Sequence, residues 1–248
     1  MQDSLIRIRN GIVHCLIGGK GDVVVILPSL WITSRSYKRI GEELSRYYTV
    51  IIPDLYKNNS KFSKVARSVP DYTEALGNLL EKLDVKKCYL IGVSFSGFIA
   101  VNYVNNFPSK VKKLMLLSTS VTRVEARWKL FRLFVGYAKL FWGNLFSSLG
   151  RQTNLLWLSD GFGYFLCQPK QFAYEVIIAL GNYEKQTTKM EVPTKLIFAK
   201  RDEFIPLVAI DVNSEIKNLE IEVVDKSHAW FFLKPEKIIP KIIAYFSH

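Results

Sequence analysis

The sequence predicts an α/β fold: a doubly wound, mostly parallel sheet of about eight strands with an inserted helical cap. Three observations lead there. Short apolar, β-branched runs such as "GDVVVIL", "YYTVIIP" and "KKCYLIGV" read as strands buried on both faces. Helix-compatible stretches separate them, and strand–helix alternation implies crossover connections and a parallel sheet. The rhythm stops between residues 121 and 190, then resumes in "TKLIFAK" and "LEIEVVD".

In chain order, "LIRIRNGIVHCLIGG" alternates on both sides of Asn10–Gly11, a two-residue hairpin signal. The buried run "GDVVVILPS" follows, then helical spacing over residues 35–46 and the buried strand "YYTVIIPDL". "DYTEALGNLLEKLDV" is an amphipathic helix whose capping pattern falls on Asp71 and Glu74. Strand "KKCYLIGV", helix "FSGFIAVNYVNNFP" and strand "VKKLMLLS" come next. After "TKLIFAK" the pattern gives a helix near 206–217, the strand "LEIEVVD" and a helix from Pro235 to the end. Residues 1–120 and 191–248 therefore form the core, and 121–190 the cap or lid insertion. Within that insertion Lys129, Arg132 and Lys139 share one narrow helical arc, and apolar residues fill most of the remainder. Such a helix buries more than one side. A lid does this, facing the sheet domain on one side and a ligand cavity on the other, and is preferred to a helix lying on a membrane surface.

At 248 residues and 49% hydrophobic content, the chain can bury one sizeable core. No run reaches the roughly 18 apolar residues of a spanning helix, and the N-terminus lacks the apolar core of a secretory signal. Cys15, Cys88 and Cys167 lie far apart, which argues against a disulfide framework or zinc site and predicts free buried thiols. The expected location is a reducing cytoplasm. The net charge of +12 is uneven: 17 Lys/Arg against 9 Asp/Glu in residues 1–120, 9 against 4 in 121–190, and 8 against 9 thereafter. No nucleic-acid-binding module accompanies it. A solvated basic surface is the plainest account. Weak peripheral contact with an anionic membrane is the other.

Chemistry concentrates in "GVSFSG", residues 92–97, between a strand and a helix. A sharp strand-to-helix turn strains the central residue and requires small neighbours, a need Gly92 and Ser96 meet. It raises Ser94 Oγ above the carboxyl edge of the sheet, at a helix N-terminus that favours developing negative charge. The Phe95 N–H then points to where an oxyanion would form. A serine needs a base, and the only histidines are His14, His228 and His248. His14 falls in the first hairpin and His248 ends the last helix. His228 follows a strand and precedes a proline-started helix, where parallel-sheet sites assemble. The orienting carboxylate is expected at Asp202, just past the strand "KLIFAK", with Glu203 and Asp225 as weaker competitors.

Taken together, "GVSFSGFIA", "VPTKLIFAKRDEFIP" and "SHAWFFLKPEKI" resemble the α/β-hydrolase superfamily over nearly the whole chain, in its branch of single-domain esterases with a helical cap after the sixth strand. Two departures stand out. Ser96 replaces the second glycine of the elbow, and Pro28-Ser29 stands where this family usually has His-Gly. By position, the resemblance assigns the second oxyanion N–H to Leu30. It implies a serine hydrolase that cleaves a carboxylic ester or thioester of a small to medium apolar acyl substrate. The triad would be Ser94, His228 and Asp202, with no metal or organic cofactor. Trp31, Trp128, Phe131 and Trp230 are the expected substrate contacts. Carbon–carbon bond hydrolysis or lyase chemistry on the same triad is the alternative, and a non-catalytic binding protein is the second.

Overall fold

A computed structural model describes residues 1–55, 60–62, 65–119, 129–180, 190–205 and 216–247, with the side chains of 129–134 and 180 excepted. Among the described residues, nine strands form one sheet in the order β1-β2-β4-β3-β6-β7-β8-β9, with β5 paired to β2. The hairpin β1 (Gln2–Ile8) and β2 (Gly11–Gly18) is antiparallel, and β2 runs antiparallel to β4 (Thr49–Pro53). From β4 onward the sheet is parallel: β3 (Val23–Leu27), β6 (Cys88–Val93), β7 (Val111–Leu117), β8 (Thr194–Ala199) and β9 (Leu219–Val224). The two-residue β5 (Lys61–Phe62) is the strand that sequence reading does not foresee, being too short for any periodicity.

Strand alternation divides the core in two. Val25, Leu27 and Leu90 face α2 (Val69–Lys82) and α3 (Ser96–Asn106). Val24, Ile26 and Ile91 face α1 (Lys38–Leu44), α7 (Trp230–Leu233) and α8 (Pro235–Ser247). Burying one such aliphatic side chain contributes about 1.5–3 kcal/mol, and the continuous β-branched runs place one on each face at nearly every step.

Several local expectations shift. Ile8 pairs with Gly11, so the hairpin turn is Arg9–Asn10, one residue early. Gly11 pairs with Phe62 of β5, and the approach admits only glycine: a β-carbon there would lie 2.0 Å from the Lys61 carbonyl oxygen. The cap of α2 is a box between Ser68 and Asp71, not Asp71 and Glu74. Cys15 and Cys88 are free and buried, and burial pushes the Cys88 thiol up to about 12, but Cys167 is exposed. The helix expected near 206–217 falls almost wholly outside the described residues.

Three helices, α4 (Lys129–Asn144), α5 (Ser148–Cys167) and α6 (Pro169–Leu180), lie between β7 and β8 in the chain. Because β7 and β8 pair directly, this insertion leaves the sheet unbroken. Among the described residues, no helix is long and apolar enough to cross a membrane.

Candidate active site

Six parallel strands, β4, β3, β6, β7, β8 and β9, end at one edge of the sheet, and the loops after β3, β6, β8 and β9 carry the candidate residues. Ser94 follows β6 with φ +52, a conformation β-carbon-bearing residues rarely adopt. The turn is held from below, where Ser94 N–H donates to the Leu117 carbonyl (2.9 Å) and Gly97 N–H to the Ser94 carbonyl (2.9 Å). Gly92 is obligatory: a β-carbon there would sit 2.8 Å from both Ala100 Cβ and Gly97 Cα.

His228 Nε2 lies 3.1 Å from Ser94 Oγ, and its Nδ1 lies 2.7 Å from Asp202 Oδ2. An ionised carboxylate only accepts, so Nδ1 carries the proton and Nε2 is left to receive one. The other oxygen of Asp202 accepts from the N–H groups of Phe204 (2.9 Å) and Ile205 (2.8 Å), which fixes the carboxylate plane. Asp202 is thus the carboxylate joined to the ring. Of the competitors, Glu203 accepts the backbone N–H of His228 (2.9 Å), and Asp225 pairs with Arg201 (3.0 Å). Ser118, fully buried with φ +46 at the end of β7, donates its hydroxyl to the His228 carbonyl (3.0 Å). The histidine loop is therefore tied down by two groups that no motif announced.

Beside the elbow, residues 29–32 form a turn closed by Ile32 N–H on the Ser29 carbonyl (3.2 Å), with Trp31 at φ +59. No described group accepts the N–H of Leu30. Ser29 N–H donates to the hydroxyl of the buried Tyr37 (2.8 Å). The two departures from the family pattern touch: Ser96, fully buried, donates its hydroxyl to the Pro28 carbonyl. What glycine would leave loose, this serine fastens.

Aromatic rings run from this loop to the histidine. Trp31 stacks on Phe172 of α6 (centroids 4.6 Å apart) and lies 6.1 Å from Tyr137 of α4. Tyr137 packs edge-on against Phe204 (5.0 Å), which packs edge-on against His228 (4.7 Å). Burial pushes the Tyr137 phenol well above its usual range. The Trp31 indole N–H donates to Glu175 Oε2 (3.0 Å), while Tyr72 (2.8 Å) and Tyr164 (2.5 Å) donate to Oε1 of that fully buried carboxylate. Glu175 thereby joins α6 to α2, α5 and the β3 loop, a linkage sequence spacing did not reveal. Of the expected substrate contacts, Trp31 stands in this arc. Trp230 does not: it is 3% exposed, packed in the core against the α8 side of the sheet. An indole so deep contributes packing rather than a contact surface. Trp128 and the Phe131 side chain lie outside the described residues.

A second histidine cluster lies apart. His14 Nδ1 meets Asp54 Oδ2 (2.8 Å) and Nε2 meets Asp3 Oδ1 (2.8 Å); the Asp54 hydrogen bond above all raises its pKa. Asp54 also accepts from Ser34 N–H (2.6 Å) and its hydroxyl (3.0 Å). With both ring nitrogens engaged by carboxylates, His14 has none left for a nucleophile. Among the described residues, no group of three or more His, Cys, Asp or Glu side chains is placed to hold a metal ion.

Comparison with known proteins agrees with this architecture. The chain is 27% identical over 161 residues to the uncharacterized carboxylesterase nap of Bacillus subtilis, covering 62% of this chain and 50% of that one. It is 22% identical over 254 residues to the 2-hydroxy-6-oxononadienedioate/2-hydroxy-6-oxononatrienedioate hydrolase of a Pseudomonas species, covering 89% and 86%. The chain spans only 30% to 50% of the length of the first curated relatives it matches. Among solved structures, the enol-lactonase of Burkholderia xenovorans LB400 superposes with a TM-score of 0.80 at 13% identity, over 99% of this chain and 100% of that one. The family model for the alpha/beta hydrolase fold matches residues 12–160, well over half of the chain. The chain belongs to the alpha/beta hydrolase fold family.

Proposed function

We propose that the protein is a serine hydrolase that cleaves a carboxylic ester or thioester of an apolar acyl group. One observation supports this above the rest: an unbroken hydrogen-bonded line from Ser94 Oγ through His228 to Asp202, on a strained elbow. His228 Nε2 takes the Ser94 proton as Oγ attacks the carbonyl carbon, and the Leu30 and Phe95 N–H groups receive the oxyanion. The tetrahedral adduct collapses, the carbon–oxygen or carbon–sulfur bond breaks, and His228 returns the proton to the leaving group. Water then attacks the acyl-enzyme with the same base, releasing the acid and Ser94. Asp202 holds the ring and stabilises its charged form throughout. The rings of Trp31, Tyr137 and Phe204 favour an apolar acyl group, and α4–α6 act as the cap that excludes water.

A panel of nitrophenyl esters of increasing acyl length, assayed with wild type and Ser94→Ala, tests this reading. Hydrolysis by wild type that vanishes in Ser94→Ala supports it; equal hydrolysis by both rejects it. Carbon–carbon bond hydrolysis is the second reading, favoured by the Pseudomonas relative. It predicts turnover of a 2-hydroxy-6-oxo-dienoate and little of the esters.

A further inference from the structure

Helix α5 is built inside out. Its inward face carries Thr153, Asn154, Asp160 and Tyr164, all buried. These groups are used: Asp160 accepts from Thr33 N–H (3.0 Å) and its hydroxyl (2.6 Å), Asn154 bonds Asn144 (2.9 Å), and Tyr164 reaches Glu175. The hydrogen bonds fix which side of the helix faces the protein. The outward face then presents Leu155, Leu158, Phe162, Phe165 and Leu166, between 46% and 67% exposed. Their spacing of three and four residues makes one continuous apolar stripe. Trp142 (67% exposed) and Phe146 (80%), at the end of α4 and the start of the link to α5, add to the exposed apolar surface. Monomeric soluble proteins seldom leave so much contiguous apolar surface in water.

Charge identifies the occupant. The acidic residues of α4–α6 are Asp160 and Glu175, and both are buried. Lys139, Arg151 and Lys170 are exposed, and among the described residues none of them is paired with a carboxylate. Arg151 stands four residues before Leu155 on the stripe, and Lys170 follows the end of α5. Among the described residues the face is thus apolar and basic, with no acid on it. A second copy docked face to face would set Lys and Arg against Lys and Arg. An anionic lipid leaflet offers hydrocarbon to the stripe and phosphate to the cations at its ends.

We propose that the outward face of α5, with the exposed end of α4, docks this protein on an anionic membrane surface. The docking stands on its own, whatever reaction Ser94 performs. Phosphatidylcholine vesicles with and without phosphatidylglycerol, incubated with the full-length Ser94→Ala protein and sedimented, provide the test. The protein is expected to pellet with the phosphatidylglycerol vesicles, bind the neutral ones far less, and release as salt is raised. The double variant Leu158→Ser/Phe162→Ser should bind those vesicles at least about tenfold more weakly while keeping its melting temperature. Arg151→Glu/Lys170→Glu should weaken binding through charge alone. Absence of sedimentation, or undiminished binding by the Leu158→Ser/Phe162→Ser protein, overturns the proposal. Self-association that the same double variant abolishes, without vesicle binding, overturns it too and assigns the face to a second copy.

Discussion

Replacing Gly97 with alanine tests whether close packing beneath Ser94 sets the elbow. A β-carbon on Gly97 would lie 2.3 Å from Thr119 Oγ1, 2.6 Å from Cγ2 and 2.7 Å from Cβ. Ordinary heavy-atom contact is about 3.5–4.0 Å, so relief requires roughly 1 Å of movement. Thr119 is buried and β-branched, so the conflict is with the whole side chain and not a flexible tip. Overpacking costs about 1–3 kcal/mol, and three clashing atoms place this case at the upper end. For a chain of this size about 3 kcal/mol corresponds to a fall of roughly 6–12 °C in melting temperature. Because Gly97 N–H holds the Ser94 carbonyl, the displacement also reaches Ser94. Thermal melts and urea titrations of Gly97→Ala, Thr119→Gly and the double variant form the assay. Thr119→Gly removes all three clashing atoms, so the double variant should exceed the sum of the singles by about 2 kcal/mol. A Gly97→Ala protein melting within about 2 °C of wild type, or a cycle with no coupling, refutes the packing argument.

Three further outcomes follow from the site. Ser96→Gly restores the more usual elbow sequence yet removes the hydroxyl that donates to the Pro28 carbonyl; it should lower kcat/KM by about fivefold, one hydrogen bond's worth, and a gain in rate would contradict the account. In Asp202→Asn the amide oxygen keeps the Phe204 and Ile205 N–H groups, so the NH₂ turns to His228 Nδ1 and leaves the proton on Nε2, the wrong side for Ser94. Ester turnover should fall by about four orders of magnitude with the melting temperature little changed, and a modest loss would argue against Asp202 as the orienting group. His14, raised above its ordinary 6.5 chiefly by Asp54, contributes stability that is present in full below 6.5 and lost as pH climbs through the folded-state pKa. The melting-temperature gap between wild type and His14→Gln should therefore narrow as pH rises from about 6 to about 9; a constant or widening gap refutes the assignment.

What the sequence made legible was local or one-sided. The elbow around Ser94 announces itself because small residues at 92 and 96 are a steric requirement readable within six positions. His228 was identified by elimination among three histidines. The buried runs "VVVIL" and "CYLIGV" give strands because both faces of a parallel sheet demand apolar residues. What stayed hidden acts across the chain. Ser118 on the His228 carbonyl, Glu203 on its N–H and Glu175 on Trp31 are single contacts between segments 110, 25 and 144 residues apart, and no periodicity encodes them. The spacing of the three cysteines predicts free buried thiols, yet Cys167 is exposed: on α5 the polar residues face in. The apolar and aromatic pattern of α4–α6 could not show this, since apolar stripes read the same whichever way they face.

The central claim is that Ser94, activated by His228, is a working nucleophile. Treatment of the purified protein with a fluorophosphonate probe, followed by peptide mass spectrometry, tests it most directly. The account predicts one modified residue, Ser94, with labelling lost in His228→Ala. Folded protein that stays unlabelled, or that is labelled at another residue while Ser94 stays intact, would contradict it.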